Sequence, residues 1–114
     1  MQEKLEKIVE AIQSKKGQEI IVLDFEGQNS LCDYAVITTG SSNRNIRAIS
    51  DEVEKTLVEL EDRRLYIEGQ NEARWILIDG DDVMIHIFDQ DTRDLYRLEE
   101  LWGYASVIYP RLDV

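Results

Sequence analysis

The sequence predicts a single α/β domain in which helices flank a mixed β-sheet. A chain of 114 residues can form one hydrophobic core and is too short for two ordinary domains, so we expect one domain over residues 1–114. Two continuously apolar runs have the pattern of strands that are covered on both faces. Segments with helical spacing of apolar residues alternate with the strand candidates, which favours a sheet with helices packed against it.

Three helices are predicted from apolar periodicity and end signals. Residues 3–16 form an amphipathic helix that Gly17 ends. A second helix follows the capping segment 40–43 and ends near Asp62 or Arg63. Its inward positions are Ile46, Ile49, Val53, Leu57 and Leu60. A short third helix is expected over 91–102, ended by Gly103, and residues 105–114 have the character of a weakly structured tail.

Five strands are predicted between and after the first two helices. The two buried strands are residues 19–25 and 34–39. A short strand is expected at 65–68. Residues 74–79 and 82–88 then form a hairpin, because both are rich in β-forming residues and the turn between them is Asp-Gly-Asp-Asp.

The hairpin presents two chemically different faces. A two-residue loop of Gly80 and Asp81 would pair Trp75 with His86 and Ala73 with Phe88. In that register one face is aliphatic and belongs in the core. The other face carries Ala73, Trp75, Leu77, Met84, His86 and Phe88. A helix covers this second face, or it is left for a partner to cover.

The charge balance argues for a basic protein as the partner. The chain has 24 Asp and Glu against 13 Lys and Arg, a formal net charge of −11. Direct nucleic-acid binding is therefore disfavoured as the main mode, since it requires cationic side chains to displace counterions. Residues 79–100 hold eight acids and two bases, and they include Met84, His86 and Phe88 from the aromatic side of the hairpin. This combination is typical of an apolar anchor with an electrostatic rim.

Composition also bounds the compartment and the chemistry. No apolar run reaches the length of a membrane helix, and the first residues resemble neither a secretory signal nor an organelle presequence, so a cytoplasmic protein is expected. Cys32 is the only cysteine and His86 the only histidine. We therefore expect no disulfide, no metal site and no cofactor. Cys32 and His86 could in principle act as a catalytic pair, but no third group marks an oriented base.

The alternative hypothesis is a nucleotide-binding or nucleotidyl-transferring enzyme. Gly40 and Ser41 lie between a buried strand and a helix, where phosphates are often bound, and Asp79 with Asp81 could hold magnesium. The segment 43–47 lacks the pair of carboxylates that a transferase carries soon after its Gly-Ser. The acidic turn is more typical of an ordinary hairpin than of a metal site, so a binding protein is favoured over an enzyme.

The chain resembles the ribosomal silencing factor family, also called Iojap-like proteins, over nearly its whole length. The resemblance rests on five blocks in the family's order and spacing. These are Asp33-Tyr34-Ala35-Val36-Ile37-Thr38-Thr39-Gly40-Ser41-Ser42, Glu68-Gly69, Trp75-Ile76-Leu77-Ile78-Asp79, Val83-Met84-Ile85-His86-Ile87-Phe88 and Arg93-Asp94-Leu95-Tyr96-Arg97-Leu98-Glu99-Glu100-Leu101-Trp102. One departure is Gly80, where the family usually has an aromatic residue after the Asp.

The resemblance implies a nucleotidyltransferase-like fold without that fold's catalytic carboxylates. It implies binding to the fourteenth protein of the large ribosomal subunit, which would block joining with the small subunit and lower translation. Organelle relatives connect the family with large-subunit assembly. Carried over from the family blocks, the candidates for the partner surface are Trp75, Asp79, His86, Phe88, Tyr96 and Leu98. A homodimer is left open by the sequence, because a second copy of the chain could cover the aromatic face as readily as a ribosomal protein.

Overall fold

The computed structural model describes residues 2–61 and 65–110. The elements follow one another along these residues in a fixed order. They are α1 Glu3–Ser14, β1 Gln18–Asp24, β2 Tyr34–Thr39, α2 Asn43–Glu61, β3 Tyr66–Glu68, β4 Trp75–Asp79, β5 Val83–Phe88, α3 Gln90–Tyr96, α4 Leu98–Leu101 and β6 Ser106–Tyr109. The predicted α/β class is confirmed, whereas the predicted end of α2 near Asp62 or Arg63 lies outside the described residues. In the described ranges, no helix has the length and apolar character needed to span a membrane.

The six strands form one mixed sheet in the order β3-β4-β5-β2-β1-β6. β2 and β5 run parallel, with Tyr34 beside Val83 and Thr39 beside Phe88. Each of the other neighbouring pairs among the described strands is antiparallel. A parallel pair needs a crossover, and the chain from α2 to β4 supplies it.

Helices α1 and α2 pack antiparallel on one face of the sheet. Lys4 at the start of α1 forms an ion pair with Glu61 at the end of α2. At the opposite ends, Asn45 donates from Nδ2 to the carbonyl of Lys15 over 2.8 Å. Leu60 was predicted to face inward but is 41% exposed, because Glu61 takes the inward position of the last turn and meets Lys4. The buried apolar stripe of the two helices comprises Leu5, Ile8, Val9, Ile12, Ile46, Ile49, Val53 and Leu57.

A smaller core lies on the other face of the sheet, under α3 and α4. Its buried members are Leu23, Phe25, Ala35, Ile37, Phe88 and Leu98. β1 therefore contributes to both cores, as its continuously apolar sequence predicted. Val22 lies in the core under α1 and α2, which we call the helix-side core, and Leu23 lies in the smaller core.

The hairpin of β4 and β5 is displaced by two residues from the predicted pairing. The backbone N–H of Gly80 donates to the carbonyl of Val83 over 2.9 Å, so the two-residue loop is Asp81-Asp82 and not Gly80-Asp81. Trp75 consequently faces Phe88 instead of His86. Because the displacement is two residues, the side chains within the strands keep their predicted faces.

Local backbone chemistry explains the position of the hairpin loop. Asp81 adopts a φ of 73°, a left-handed conformation that Asp tolerates better than most residues, and its N–H donates to Asp79 Oδ1 over 2.9 Å. A Cβ on Gly80 would approach the Val83 carbonyl to 3.0 Å, so a glycine suits that pair. Ala73, predicted on the aromatic face, precedes β4 with a φ of 53° and is buried in the helix-side core, so that prediction was wrong.

The predicted helix over 91–102 is divided at Arg97. Arg97 adopts φ 46° and ψ 54°, which ends α3 and begins α4. The break changes the direction of the chain, so that Leu98 is buried whereas Leu95 is 75% exposed and Leu101 67% exposed. A continuous helix would have aligned these three leucines on nearly one face.

The predicted weak structure over 105–114 is wrong for residues 105–110, which the structure describes. Residues 106–109 form β6, which pairs antiparallel with β1 through Val107 and Leu23. Val107, Ile108 and Tyr109 favour a strand, and the following Pro110 is compatible with a strand end at the sheet edge. Tyr109 also accepts a hydrogen bond from Gln13 Nε2 over 2.9 Å, which ties the edge strand to α1.

Candidate docking face

The face of β3, β4 and β5 that is turned away from α1 and α2 is only partly covered. Alternate residues of a strand point to the same side, so cross-strand neighbours line up in rows on this face. The rows are Tyr66-Asp79-Met84, Glu68-Leu77-His86 and Trp75-Phe88. α3 and α4 cover the third row and His86, while Leu77 and Met84 remain half-buried and Tyr66 is 60% exposed. We call the accessible part, formed by Tyr66, Glu68, Trp75, Leu77, Asp79, Met84 and Tyr96, the docking face.

An aromatic cluster connects the docking face to the smaller core. The ring centroid of Trp75 lies 4.7 Å from that of Tyr96 and 5.0 Å from that of Phe88. The ring of His86 lies 5.6 Å from that of Trp102. Ring contacts of this kind add about 0.5–1.5 kcal/mol each beyond the area that they bury. The half-exposed Trp75 and Tyr96 are therefore held in place by a buried aromatic support.

His86 is a neutral hydrogen-bond acceptor within the cluster. The indole Nε1 of Trp75 donates to Nδ1 of His86 over 3.1 Å, so Nδ1 carries no proton and the neutral ring holds its proton on Nε2. Burial lowers the pKa of His86 from 6.5 to about 4. Near neutral pH the imidazole is uncharged and fixes the orientation of the Trp75 indole.

Arg93 anchors α3 to the sheet behind the cluster. Its guanidinium is buried and donates to the Glu19 carbonyl over 2.7 Å, to Thr39 Oγ1 over 2.8 Å and to Glu99 Oε1 over 2.7 Å. A planar guanidinium suits several simultaneous acceptors, and charge-assisted hydrogen bonds are the stronger kind. This single side chain joins β1, β2 and α4 to α3, which carries Tyr96.

Acidic side chains border the docking face at the hairpin turn. Burial, and then the nearby carboxylates of Asp33, Asp79 and Asp82, raise the pKa of the Cys32 thiol, which keeps Cys32 protonated and a poor nucleophile. Lys4 Nζ donates to the Gly80 carbonyl over 2.8 Å and to Asp82 Oδ1 over 2.6 Å. Lys4 on α1 thus holds the hairpin turn in place, while Asp81 is exposed to solvent.

The six residues predicted for a partner surface differ in accessibility. Tyr96 is 50% exposed, and Trp75 and Asp79 are half-buried. The other three are buried in the free chain, where His86 is 6%, Phe88 1% and Leu98 7% exposed. The first three can touch a partner directly, and the last three shape the surface from beneath.

Sequence reasoning missed several accessible apolar side chains. Tyr66 faces Asp79 across β3 and β4, and strand alternation could have assigned it to this face once that pairing was known. Leu95 and Leu101 are exposed because of the break at Arg97, for which no residue type in the sequence gives a signal.

The residues of the enzymatic alternative lie apart. Gly40 follows the carboxyl end of β2, whereas Asp79 pairs with Met84 near the amino end of β5. Because β2 and β5 are parallel and in register over six residues, roughly 16 Å of strand separates the two sites. Gly40-Ser41 and Asp79 with Asp81 therefore do not form one nucleotide site. Among the described residues, no group of three or more His, Cys, Asp and Glu side chains is arranged to hold a metal ion.

Comparison with known proteins identifies the class of protein to which this fold belongs. The family model described as "Ribosomal silencing factor during starvation" matches residues 1–114. The ribosomal silencing factor of Halalkalibacterium halodurans is 38% identical over 109 residues, which cover 94% of this chain and 92% of that protein. A crystal structure of a protein from Chromobacterium violaceum superposes with a TM-score of 0.85 at 34% identity, over 90% of this chain and 88% of that one.

These similarities extend over nearly the whole chain and place it among regulatory proteins of the ribosome. The chain belongs to the ribosomal silencing factor family. It is also similar to a mouse protein named "Mitochondrial assembly of ribosomal large subunit protein 1", with 28% identity over 90% of this chain and 46% of that protein.

Proposed function

We propose that the docking face binds the large ribosomal subunit through its fourteenth protein, and that the bound chain blocks joining with the small subunit. Translation falls as a result. The observation that carries this proposal is a half-open sheet face with Trp75 and Tyr96 at the end beside α3 and acidic residues at the end formed by the hairpin turn. Rigid aromatic anchors surrounded by polar residues are typical of binding surfaces.

The acidic border fits a basic ribosomal protein. Residues 79–100 carry a net charge of −6, and Asp79 and Asp81 lie beside the apolar part of the face. Opposite charges steer two proteins into contact and reject partners of like charge. Gly80 stands where the family usually has an aromatic residue, so this chain relies on Tyr66, Trp75 and Tyr96 for aromatic contacts.

A role in large-subunit assembly uses the same face. The printed name of the mouse relative refers to assembly of the large ribosomal subunit. Binding to an immature large subunit and binding to a mature one are both compatible with the cytoplasmic location that the sequence predicts. The two roles differ in whether the bound chain prevents joining of finished subunits.

Two tyrosines of equal exposure provide a test of the binding face. Tyr96 is 50% exposed and contacts Trp75. Tyr104 is 48% exposed and contacts Phe25, which directly follows β1 and lies outside the docking face. Loss of an aromatic side chain at a binding surface costs about 1.4 kcal/mol or more, which is a tenfold change in affinity. Tyr96→Ala should therefore bind large subunits at least about tenfold more weakly in cosedimentation.

Tyr104→Ala is the matched control and should bind within about twofold of the wild type. Both variants should melt at similar temperatures, because each removes one half-exposed ring. Equal weakening by the two variants, or no weakening by either, would show that the docking face is not the surface that meets the large subunit.

A further inference from the structure

One end of this acidic molecule is cationic. The carboxyl end of α1 carries Lys15 and Lys16, and the amino-terminal turns of α2 carry Arg44 and Arg47. No Asp or Glu occurs in residues 11–18 or 34–50, although the chain has 24 of them. We call these four side chains the cationic patch.

Backbone and side-chain contacts bring the four cations together. Asn45 donates from Nδ2 to the Lys15 carbonyl over 2.8 Å, and its Oδ1 accepts from the backbone N–H of Ser41 over 2.9 Å. The end of α1, the loop before α2 and the first turn of α2 are therefore joined at one residue. The other polar side chains of the loop before α2 and of its first turn, which are Ser41, Ser42, Asn43 and Asn45, are uncharged.

The side chains of the cationic patch are accessible to solvent. All four residues are exposed. Within residues 2–61 and 65–110, no carboxylate oxygen lies within 4.0 Å of their charged nitrogens, in contrast to Lys4, Lys7, Arg93 and Arg97. Because acidic residues outnumber basic ones in the chain as a whole, four cations so close together are a local departure from its overall charge.

The cationic patch adjoins the docking face through the turn at residues 69–72. Arg47 donates from Nε to the Gln70 carbonyl over 3.0 Å and from Nη2 to the Asn71 carbonyl over 2.6 Å. The same turn lines a groove whose other wall includes Trp75 and Tyr96. A partner that contacts Trp75 and Tyr96 therefore lies next to Arg47 and the rest of the cationic patch.

We infer that the cationic patch binds RNA phosphates next to the protein that the docking face binds. This inference rests on the proposed function, because RNA surrounds the proteins at the surface of a ribosomal subunit. Cationic side chains gain affinity for phosphate backbones by releasing counterions. The net charge of −11 prevents RNA from being the main partner, but four local cations suffice for a secondary contact that fixes the orientation of the bound chain.

Paired charge-removing variants test this inference. Lys15→Gln/Arg44→Gln removes two cations of the patch, and Lys7→Gln/Lys55→Gln removes two exposed cations from elsewhere on α1 and α2. Both variants have the same net charge, so long-range repulsion from the subunit changes equally. The dissociation constant for purified large subunits is measured from 50 to 250 mM salt, and that for the isolated fourteenth protein at one salt concentration.

The patch variant should bind large subunits about tenfold more weakly than the control at physiological salt. Its plot of log affinity against log salt should be shallower by about 1.5, since each phosphate contact contributes roughly 0.7–0.9 to the slope. Binding to the isolated ribosomal protein should be the same for both variants.

The possible failures are distinguishable. If wild type binds large subunits and the two variants bind equally well, the patch inference is wrong and the proposed function stands. If the patch variant also loses affinity for the isolated protein, the patch contacts protein and not RNA. If wild type binds no large subunits, the proposed function and the inference that rests on it both fail.

Discussion

At the scale of single residues, two buried polar side chains support the docking face by different means. His86 is uncharged and accepts one hydrogen bond from Trp75, while Arg93 is charged and donates to three oxygens. A buried polar group costs stability unless it is hydrogen-bonded, and here each bond also fixes an element of the site. The orientation of Trp75 therefore depends on the protonation state of His86.

Acid should destabilise the protein through His86. The pKa of this residue is about 4 in the folded chain and about 6.5 when unfolded, so the folded state binds fewer protons. The contribution of the neutral, buried His86 to the free energy of unfolding is fully present above pH 6.5, and it is lost as the pH falls toward 4. Between pH 7 and pH 5 the wild type should lose about 2 kcal/mol in unfolding free energy through this group.

Urea unfolding of wild type and His86→Gln at both pH values measures this loss. Glutamine can accept the Trp75 hydrogen bond but does not titrate. The variant should therefore lose about 2 kcal/mol less than the wild type between pH 7 and pH 5. Identical pH dependence in the two proteins would mean that His86 is not the titrating group.

At the scale of elements, the short helices and the edge strand owe their positions to contacts that are distant in sequence. α3 is tied to β1 and β2 through Arg93, and β6 is paired with β1 more than 80 residues earlier in the chain. The predictions that succeeded did not depend on such contacts. The bounds of α1, β1 and β2 follow from local apolar patterns, which the sequence displays directly.

The predictions that failed needed information from elsewhere in the fold. Residues 105–110 have strand-forming side chains, but only the free edge of β1 turns them into β6. The break at Arg97 places a non-glycine residue in a left-handed conformation, which local propensity disfavours by about 1–2 kcal/mol. Burial of Leu98 and the contacts of Arg93 outweigh that cost, and neither can be read from residues 91–102 alone.

Removal of the Arg93 anchor should weaken the fold strongly. Arg93→Met leaves Glu99 and the Glu19 carbonyl without their buried donor, and losses of this kind cost about 2–4 kcal/mol. Arg97→Met changes an exposed arginine on the same segment and should cost less than about 0.5 kcal/mol. Chemical unfolding measures both, and similar values for the two variants would contradict the anchoring role.

Two neighbouring substitutions in β6 test whether this strand belongs to the fold. Ile108 is half-buried against the helix-side core, whereas Val107 is 45% exposed. Ile108→Asp should lower the unfolding free energy by about 2 kcal/mol or more, and Val107→Asp by less than about 1 kcal/mol. Thermal melts that are unchanged for both variants would indicate a weakly structured tail.

At the scale of the whole molecule, charge and apolar surface divide the chain into regions with different tasks. The docking face, with its acidic turn and its aromatic residues, lies on the face of the sheet that α3 and α4 partly cover. The cationic patch lies where α1 ends and α2 begins. The sequence predicted the aromatic side of the hairpin and its acid, because strand alternation survives a two-residue displacement. It could not predict that Phe88, His86 and Leu98 are covered, since the covering helix is broken at Arg97.

Steric blockade is measured most directly by subunit joining. Purified small and large subunits are mixed at a magnesium concentration that supports joining, and light scattering follows the formation of whole ribosomes with and without the protein. Wild type and Tyr104→Ala should suppress joining at equal concentration, whereas Tyr96→Ala should require about tenfold more protein for the same effect. If wild type binds large subunits in cosedimentation yet leaves the rate and extent of joining unchanged, blockade is wrong and large-subunit assembly becomes the role that the docking face serves.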